Sequence, residues 1–193
     1  MKKIVITGGS GFGGSRFKKM LQEKYEILAL SSRDLDVTDQ AAIDQFMDEE
    51  KPDYVIHAAG IPSQQFCTEH PEKAHAVNVD GALYMAEACK RTGAKMVFTS
   101  TEQLFNGSPE PGPYTEESKP YPDTIYGQNK LEVEEKLPEI FSDYWVVRFT
   151  WIFGLPEKDC AEGTNILWDT MKSLMKNQPI KTSEYEFRGM TDV

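Results

Sequence analysis

The chain is predicted to fold as a doubly wound α/β domain, a parallel sheet with helices on both faces, and three observations lead there. Short β-branched and apolar runs alternate with longer helical patterns over the 193 residues; a glycine-rich turn follows the first run; and no shift in composition divides the chain in two. Parallel neighbours need a crossover, usually a helix, so the alternation favours this architecture.

Each element has its own warrant. Lys3–Thr7 is a β-branched run closed by Gly8 and Gly9, and a helical pattern covers 13–24. Glu26–Leu30 supplies a second strand, followed by a helix over 39–50 whose start near Gln40 Asp39 can cap. Tyr54–Ala58 is the third strand, 71–92 a long helix, Lys95–Thr99 the fourth strand, 126–137 a helix and Tyr144–Phe149 the fifth strand. Residues 106–124 hold five of the eleven prolines, so they form a loop. A loop of that length inside a compact domain is either functional or disordered, and its place just before Tyr126 favours a cover over the site. Glu132-Val-Glu-Glu-Lys136 reads as a solvated helix face.

Composition excludes several classes of function. The net charge is −10 with no basic block, which argues against nucleic acid and anionic membranes as partners. The first apolar run is broken after three residues by Gly8 and Gly9, so no export signal is read, and no stretch approaches the roughly 18 apolar residues of a membrane span. Cys67, Cys89 and Cys160 match no metal or CxxC spacing and read as free thiols in a reducing cytoplasm.

In open sheets of this kind ligands lie beyond the carboxyl ends of the strands, and the informative residues fall there. After the first strand comes Thr7-Gly8-Gly9-Ser10-Gly11-Phe12-Gly13-Gly14, with Gly8, Gly11 and Gly14 spaced as GxxGxxG. Glycines permit the tight turn and let a pyrophosphate approach the free N–H groups of the next helix, which predicts a dinucleotide site including Ser10 and Phe12. After the second strand, Ser32 and Arg33 stand about where an acidic residue would hold the ribose of NAD. An arginine beside hydroxyls suits a 2′-phosphate, so NADP is favoured over NAD. Asp36 and Val37 are placed to border the adenine, and Ala58, Ala59 and Gly60 are small enough to let backbone lie against the cofactor. His57 is read as structural.

Tyr126 and Lys130 lie four apart, on one face of a helix. A free phenol has a pKa of about 10, and a neighbouring ammonium would lower it toward the range of proton transfer. Thr99, Ser100 and Thr101 end the fourth strand, where the Thr101 hydroxyl can donate to a substrate carbonyl. Thr101, Tyr126 and Lys130 form the expected catalytic set, with Lys130 also holding the nicotinamide ribose. Asn78, read as buried in the long helix, is expected to brace the site backbone or Lys130.

The glycine turn, Thr101 and Tyr126-x-x-x-Lys130 together resemble the extended short-chain dehydrogenase/reductase superfamily, of Rossmann fold. Within it, Leu35-Asp-Val-Thr-Asp39, Pro52–Ala59, Ser100–Gly107 and Arg148–Gly154 are similar to dTDP-4-dehydrorhamnose reductases. The resemblance implies reduction of a 4-keto nucleotide sugar by NADPH or NADH, with the proton supplied by Tyr126. Two alternatives stay open, an epimerase or dehydratase with bound NAD and a non-catalytic NAD(P)-binding regulator. One departure is Gln103, which follows Glu102 where that family usually has an aromatic. Another is length, because members of the family continue for roughly another hundred residues. The chain reads as one NAD(P)-binding domain over 1–193, in which 154–193 contains only the beginning of a substrate-binding part. Homodimers are common in the family, which leaves self-association open.

Overall fold

The computed structural model describes residues 1–163, 166–180 and 189–192. Five parallel strands form the central sheet: β1 (Lys3–Thr7), β2 (Glu26–Leu30), β3 (Tyr54–His57), β4 (Lys95–Thr101) and β5 (Tyr144–Phe149), in the order β2-β1-β3-β4-β5. The chain leaves β1 toward β2 on one side and returns to β3 on the other. The carboxyl ends of β1 and β3 therefore flank the point where strand order reverses, with Thr7 in register with His57.

Helix α1 (Phe12–Leu21) packs against β1 and β2. Helices α2 (Gln40–Glu50), α5 (Gly81–Thr92) and α6 (Ile125–Ile140) share a core with Val5, Val55, Met96 and Phe98, to which they add Ile43, Met47, Met85, Val133 and Leu137. Because side chains alternate along a strand, Ile4 and Ile6 are buried on the opposite face, that of α1. Helices thus stand on both faces, as the alternating pattern predicts. Asp39 caps α2, its carboxylate accepting from the Ala42 amide at 3.0 Å.

The long helix expected over 71–92 is not continuous. It divides into α4 (Pro71–His75), a π-helical turn over Ala76–Asp80, and α5. The widened turn, which the regular pattern of apolar residues could not reveal, carries Asn78, buried as expected. A short helix α3 (Gln64–Glu69), capped by Ser63, was also not foreseen. Among the described residues the other elements are a 3-10 turn over Glu102–Phe105, β6 (Trp151–Phe153), α7 (Ile166–Met175) and β7 (Met190–Asp192), with β6 and β7 forming a separate parallel pair. Among the described residues no helix is long and apolar enough to cross a membrane.

Candidate active site

The glycine turn owes its shape to close approaches. Gly8 has φ +67°, and a Cβ there would stand 2.6 Å from the Ala58 carbonyl oxygen, so a side chain would separate the turn from the end of β3. A Cβ at Gly14 would run into the Gly8 carbonyl, so glycine at this position lets α1 seat directly on the turn. Gly11 caps α1 without a side-chain bond. The first amides of the helix thus lack a side-chain cap, and Ser10 is exposed beside them.

Ser32 and Arg33 lie exposed beyond β2. The Arg33 amide donates to Ser31 Oγ at 3.3 Å, and Asp34 folds back to accept from the Ser31 amide and hydroxyl at 2.8 and 2.6 Å. Those bonds hold the Asp34 carboxyl below its usual range, whereas the Arg33 guanidinium makes no hydrogen bond or ion pair among the described residues. Asp36 accepts from the Thr38 amide and hydroxyl at 2.9 and 2.8 Å, which lowers its pKa and closes a local turn. Val37 is buried beneath Gly81, whose missing Cβ would meet the Val37 carbonyl.

The acid/base candidates are positioned by the ends of β4 and α6. Thr124 caps α6 by accepting from the Gly127 amide at 3.0 Å, so Tyr126 falls in the first turn and Lys130 one turn later. Lys130 Nζ donates to the Thr99 carbonyl at 2.8 Å, sits 4.5 Å from the Phe98 ring centroid and 5.7 Å from that of Tyr126. Thr101, two residues beyond Thr99, is buried; its hydroxyl accepts from the Gln103 amide at 3.2 Å and donates to Glu102 at 3.3 Å. Thr99 Oγ1 donates to the His57 carbonyl at 3.1 Å, tying β4 to β3. Asn78 accepts from the Ile61 amide at 2.7 Å and donates to the Ile61 carbonyl at 3.2 Å, bracing the backbone next to Gly60. A Cβ at Gly60 would stand 3.7 Å from Lys130 Nζ, so glycine keeps space open beside the ammonium.

The electrostatics differ from the expectation that Lys130 would set the acidity of Tyr126. Burial raises the Tyr126 pKa, and the Glu102 carboxylate and then Cys67 push it further upward. Lys130 itself is lowered to about 8 by burial, partly offset by Glu134. Desolvation is the largest cause at both groups, reinforced by Glu102 at Tyr126 and opposed by Glu134 at Lys130. His57, also buried, is lowered to about 3 by desolvation and by Lys130. Thr7 Oγ1 accepts from the Ala59 amide at 3.2 Å and shares a hydrogen bond with His57 Nδ1 at 3.1 Å.

Beside this set opens a cleft of about 930 Å³, lined by Gln64, Glu102, Phe105, Tyr114, Thr124 and Arg148, among others. The loop of 106–124 supplies several of its walls and is pinned back by Tyr121, whose amide donates to Leu104 at 2.7 Å and whose carbonyl accepts from Gly107 at 2.8 Å. One part of the site was misread from sequence. Glu134 is not on a solvated face: its carboxylate accepts from Ser100 Oγ at 2.5 Å and from Arg148 Nη2 at 2.6 Å, with 10% of its side chain exposed. The available signal was its position one turn after Lys130, on the face that meets β4.

The strand order, the glycine turn and the Tyr126/Lys130 pair define a Rossmann-fold protein of the reductase and epimerase class within the short-chain dehydrogenase/reductase superfamily. The chain belongs to the RmlD substrate binding domain family, whose profile matches residues 1–188. It is 32% identical over 175 residues to the spore coat polysaccharide biosynthesis protein SpsK of Bacillus subtilis, covering 90% of this chain and 62% of that protein. It is 32% identical over 182 residues to a dTDP-4-dehydrorhamnose reductase of Aggregatibacter actinomycetemcomitans, covering 93% of this chain and 59% of that one. Among solved structures, the dTDP-4-dehydrorhamnose reductase of Bacillus anthracis in complex with NADP superposes with a TM-score of 0.83 at 31% identity, over 93% of this chain and 62% of that one. The chain thus spans about three fifths of the length of these relatives.

Proposed function

We propose that this chain carries the cofactor site and acid/base machinery of a reductase that uses NADPH, or NADH as the alternative, to reduce a 4-keto nucleotide sugar. The observation that carries the proposal is Lys130 beside the Tyr126 ring and bonded to the carbonyl of Thr99, two residues before Thr101 at the end of β4, with Glu102 and Thr124 on the wall of the adjoining cleft. The names of the dTDP-4-dehydrorhamnose reductases it resembles support the substrate class. Residues 154–193 are taken as the beginning of the substrate-binding part. The three unpaired cysteines support a reducing compartment such as the cytoplasm.

The residues fit a dinucleotide. The turn at Gly8, Gly11 and Gly14 has the close backbone and free helix-end amides that a pyrophosphate requires. Lys130 spends one N–H on Thr99, and Gly60 leaves room beside it, so two further donors can reach ribose hydroxyls. Arg33, exposed beyond β2, supports a contact to a 2′-phosphate. Bound there, the reduced cofactor would supply the hydride.

The chain's own groups handle the proton. With its pKa raised, Tyr126 is a neutral phenol at physiological pH, the state required of a proton donor. Its hydroxyl gives that proton to the carbonyl oxygen as the carbonyl carbon accepts the hydride, and the O–H bond of Tyr126 becomes that of the product alcohol. The Lys130 ammonium stabilises the phenolate left behind. Thr101, by turning its hydrogen from Glu102 to the substrate oxygen, orients the carbonyl. The test is consumption of NADPH with a 4-keto-6-deoxy nucleotide sugar. Turnover that disappears in Tyr126→Phe is expected; no turnover from folded protein that binds NADPH overturns the proposal.

A further inference from the structure

Gln103 stands where the resembled family pattern has an aromatic, so its task in this chain must be found in its own contacts. Its backbone amide donates to Thr101 Oγ1 at 3.2 Å, at the end of β4. Its side-chain oxygen accepts from Gln64 Nε2 at 3.0 Å and from Thr124 Oγ1 at 3.4 Å. Thr124 in turn caps α6 through the Gly127 amide. Its hydroxyl is used in both directions, the oxygen accepting from the helix and the hydrogen donated to Gln103. A Cβ at Gly127 would stand 3.0 Å from the Gln103 carbonyl oxygen, so the two backbones are also packed closely.

One residue therefore touches both elements that carry the acid/base set. The first turn of a helix has amides without intrahelical partners, and Tyr126 lies in that turn. We propose that Gln103 is a positioning residue that holds the Thr101 strand end and the Tyr126/Lys130 helix in register, acting through its side-chain oxygen. Gln64, on α3, is the outer member of the same chain of bonds and lies on the cleft wall. The inference rests on the reductase reading for its catalytic consequence, but not for its structural one.

The oxygen does the work, so the chemistry of substitution is specific. Glutamate keeps both acceptor contacts; methionine keeps the length and loses them. Thr124 remains able to cap α6 in either variant, so both are expected to fold, but in the methionine variant its hydroxyl, no longer held by the side chain at 103, is free to turn away from the Gly127 amide. In Gln103→Met, kcat should fall about tenfold with KM changed less than about twofold, because the donor and the orienting hydroxyl are misaligned while the cleft is intact. Gln103→Glu should restore kcat at its own pH optimum. Hydrogen exchange in the substrate-free protein should show the Gly127 amide losing protection in the methionine variant and keeping it in the glutamate one. Unchanged Gly127 exchange in Gln103→Met overturns the proposal, as does a rise in KM at constant kcat, which would mark Gln103 as a substrate contact. If the wild type fails to turn over, the reductase reading fails, and the exchange experiment alone still decides the role of Gln103.

Discussion

The Lys130 ammonium donates to the Thr99 carbonyl at 2.8 Å, pinning α6 to the end of β4 and taking a cation out of water. Burial holds that cation at a pKa of about 8, against the opposing pull of Glu134.

Lys130 should therefore carry a cost in stability that the proposed function would explain. An unfolded lysine titrates near 10.5 and the folded one near 8. Between those values the unfolded chain holds the proton and the folded one does not, so stability rises with pH through that window; below about 8 the folded protein carries the full cost, about 3 kcal/mol. Lys130→Met should stabilise the protein at neutral pH by about 1–3 kcal/mol, less than the whole because the Thr99 carbonyl loses its donor. Urea denaturation at neutral pH and near pH 10.5 checks this: the gain should shrink at the higher pH. A variant less stable than wild type at neutral pH would contradict it.

Reductase activity should decline as pH rises through about 8, when Lys130 loses its charge. Glu134 raises the Lys130 pKa, so Glu134→Gln should move that alkaline limb to lower pH. The same change leaves Arg148 without its carboxylate and should destabilise by about 2 kcal/mol, below the value for a fully buried pair because Arg148 is partly exposed. A pH–rate profile and a thermal melt on one preparation test both parts; an unshifted limb would refute the coupling.

His57 should contribute to acid sensitivity. Its folded pKa is about 3 against 6.5 when unfolded, so between those values the unfolded chain takes up a proton that the folded chain refuses. Stability is lost as pH falls through that window, at about 1.4 kcal/mol per pH unit. His57→Gln, whose amide can still bond the Thr7 hydroxyl, should remove this slope, seen as a smaller loss of stability between pH 6.5 and 4.5 than in wild type. Parallel curves for the two proteins would show that His57 does not titrate on unfolding.

Arg33 should separate the two cofactors. Arg33→Ala is expected to weaken NADPH binding about tenfold while leaving NADH within about twofold, since only NADPH offers the charged 2′-phosphate. Isothermal titration with each dinucleotide measures it, and equal losses for both would remove Arg33 from the phosphate site.

Much of the fold was legible because its signals are local. The first two strands run as read, Lys3–Thr7 and Glu26–Leu30, since β-branched runs ended by turn residues need no long-range information. The helix expected over 71–92 failed at Asn78, because a π-turn depends on what the polar side chain finds across the fold, here the backbone of Ile61. Glu134 was assigned to solvent for a similar reason: a carboxylate in an acidic stretch looks exposed until Ser100 and Arg148 arrive beside it from β4 and β5.

By itself the sequence determined the parallel architecture, the glycine turn and the common face of Tyr126 and Lys130, since each follows from backbone sterics or from helical period. Only the tertiary structure decided the charge states. Burial drives Tyr126 upward and Lys130 down to about 8, reversing the simple expectation that the ammonium would acidify the phenol. Spacing along a helix sets which groups are neighbours, whereas desolvation depends on everything packed around them.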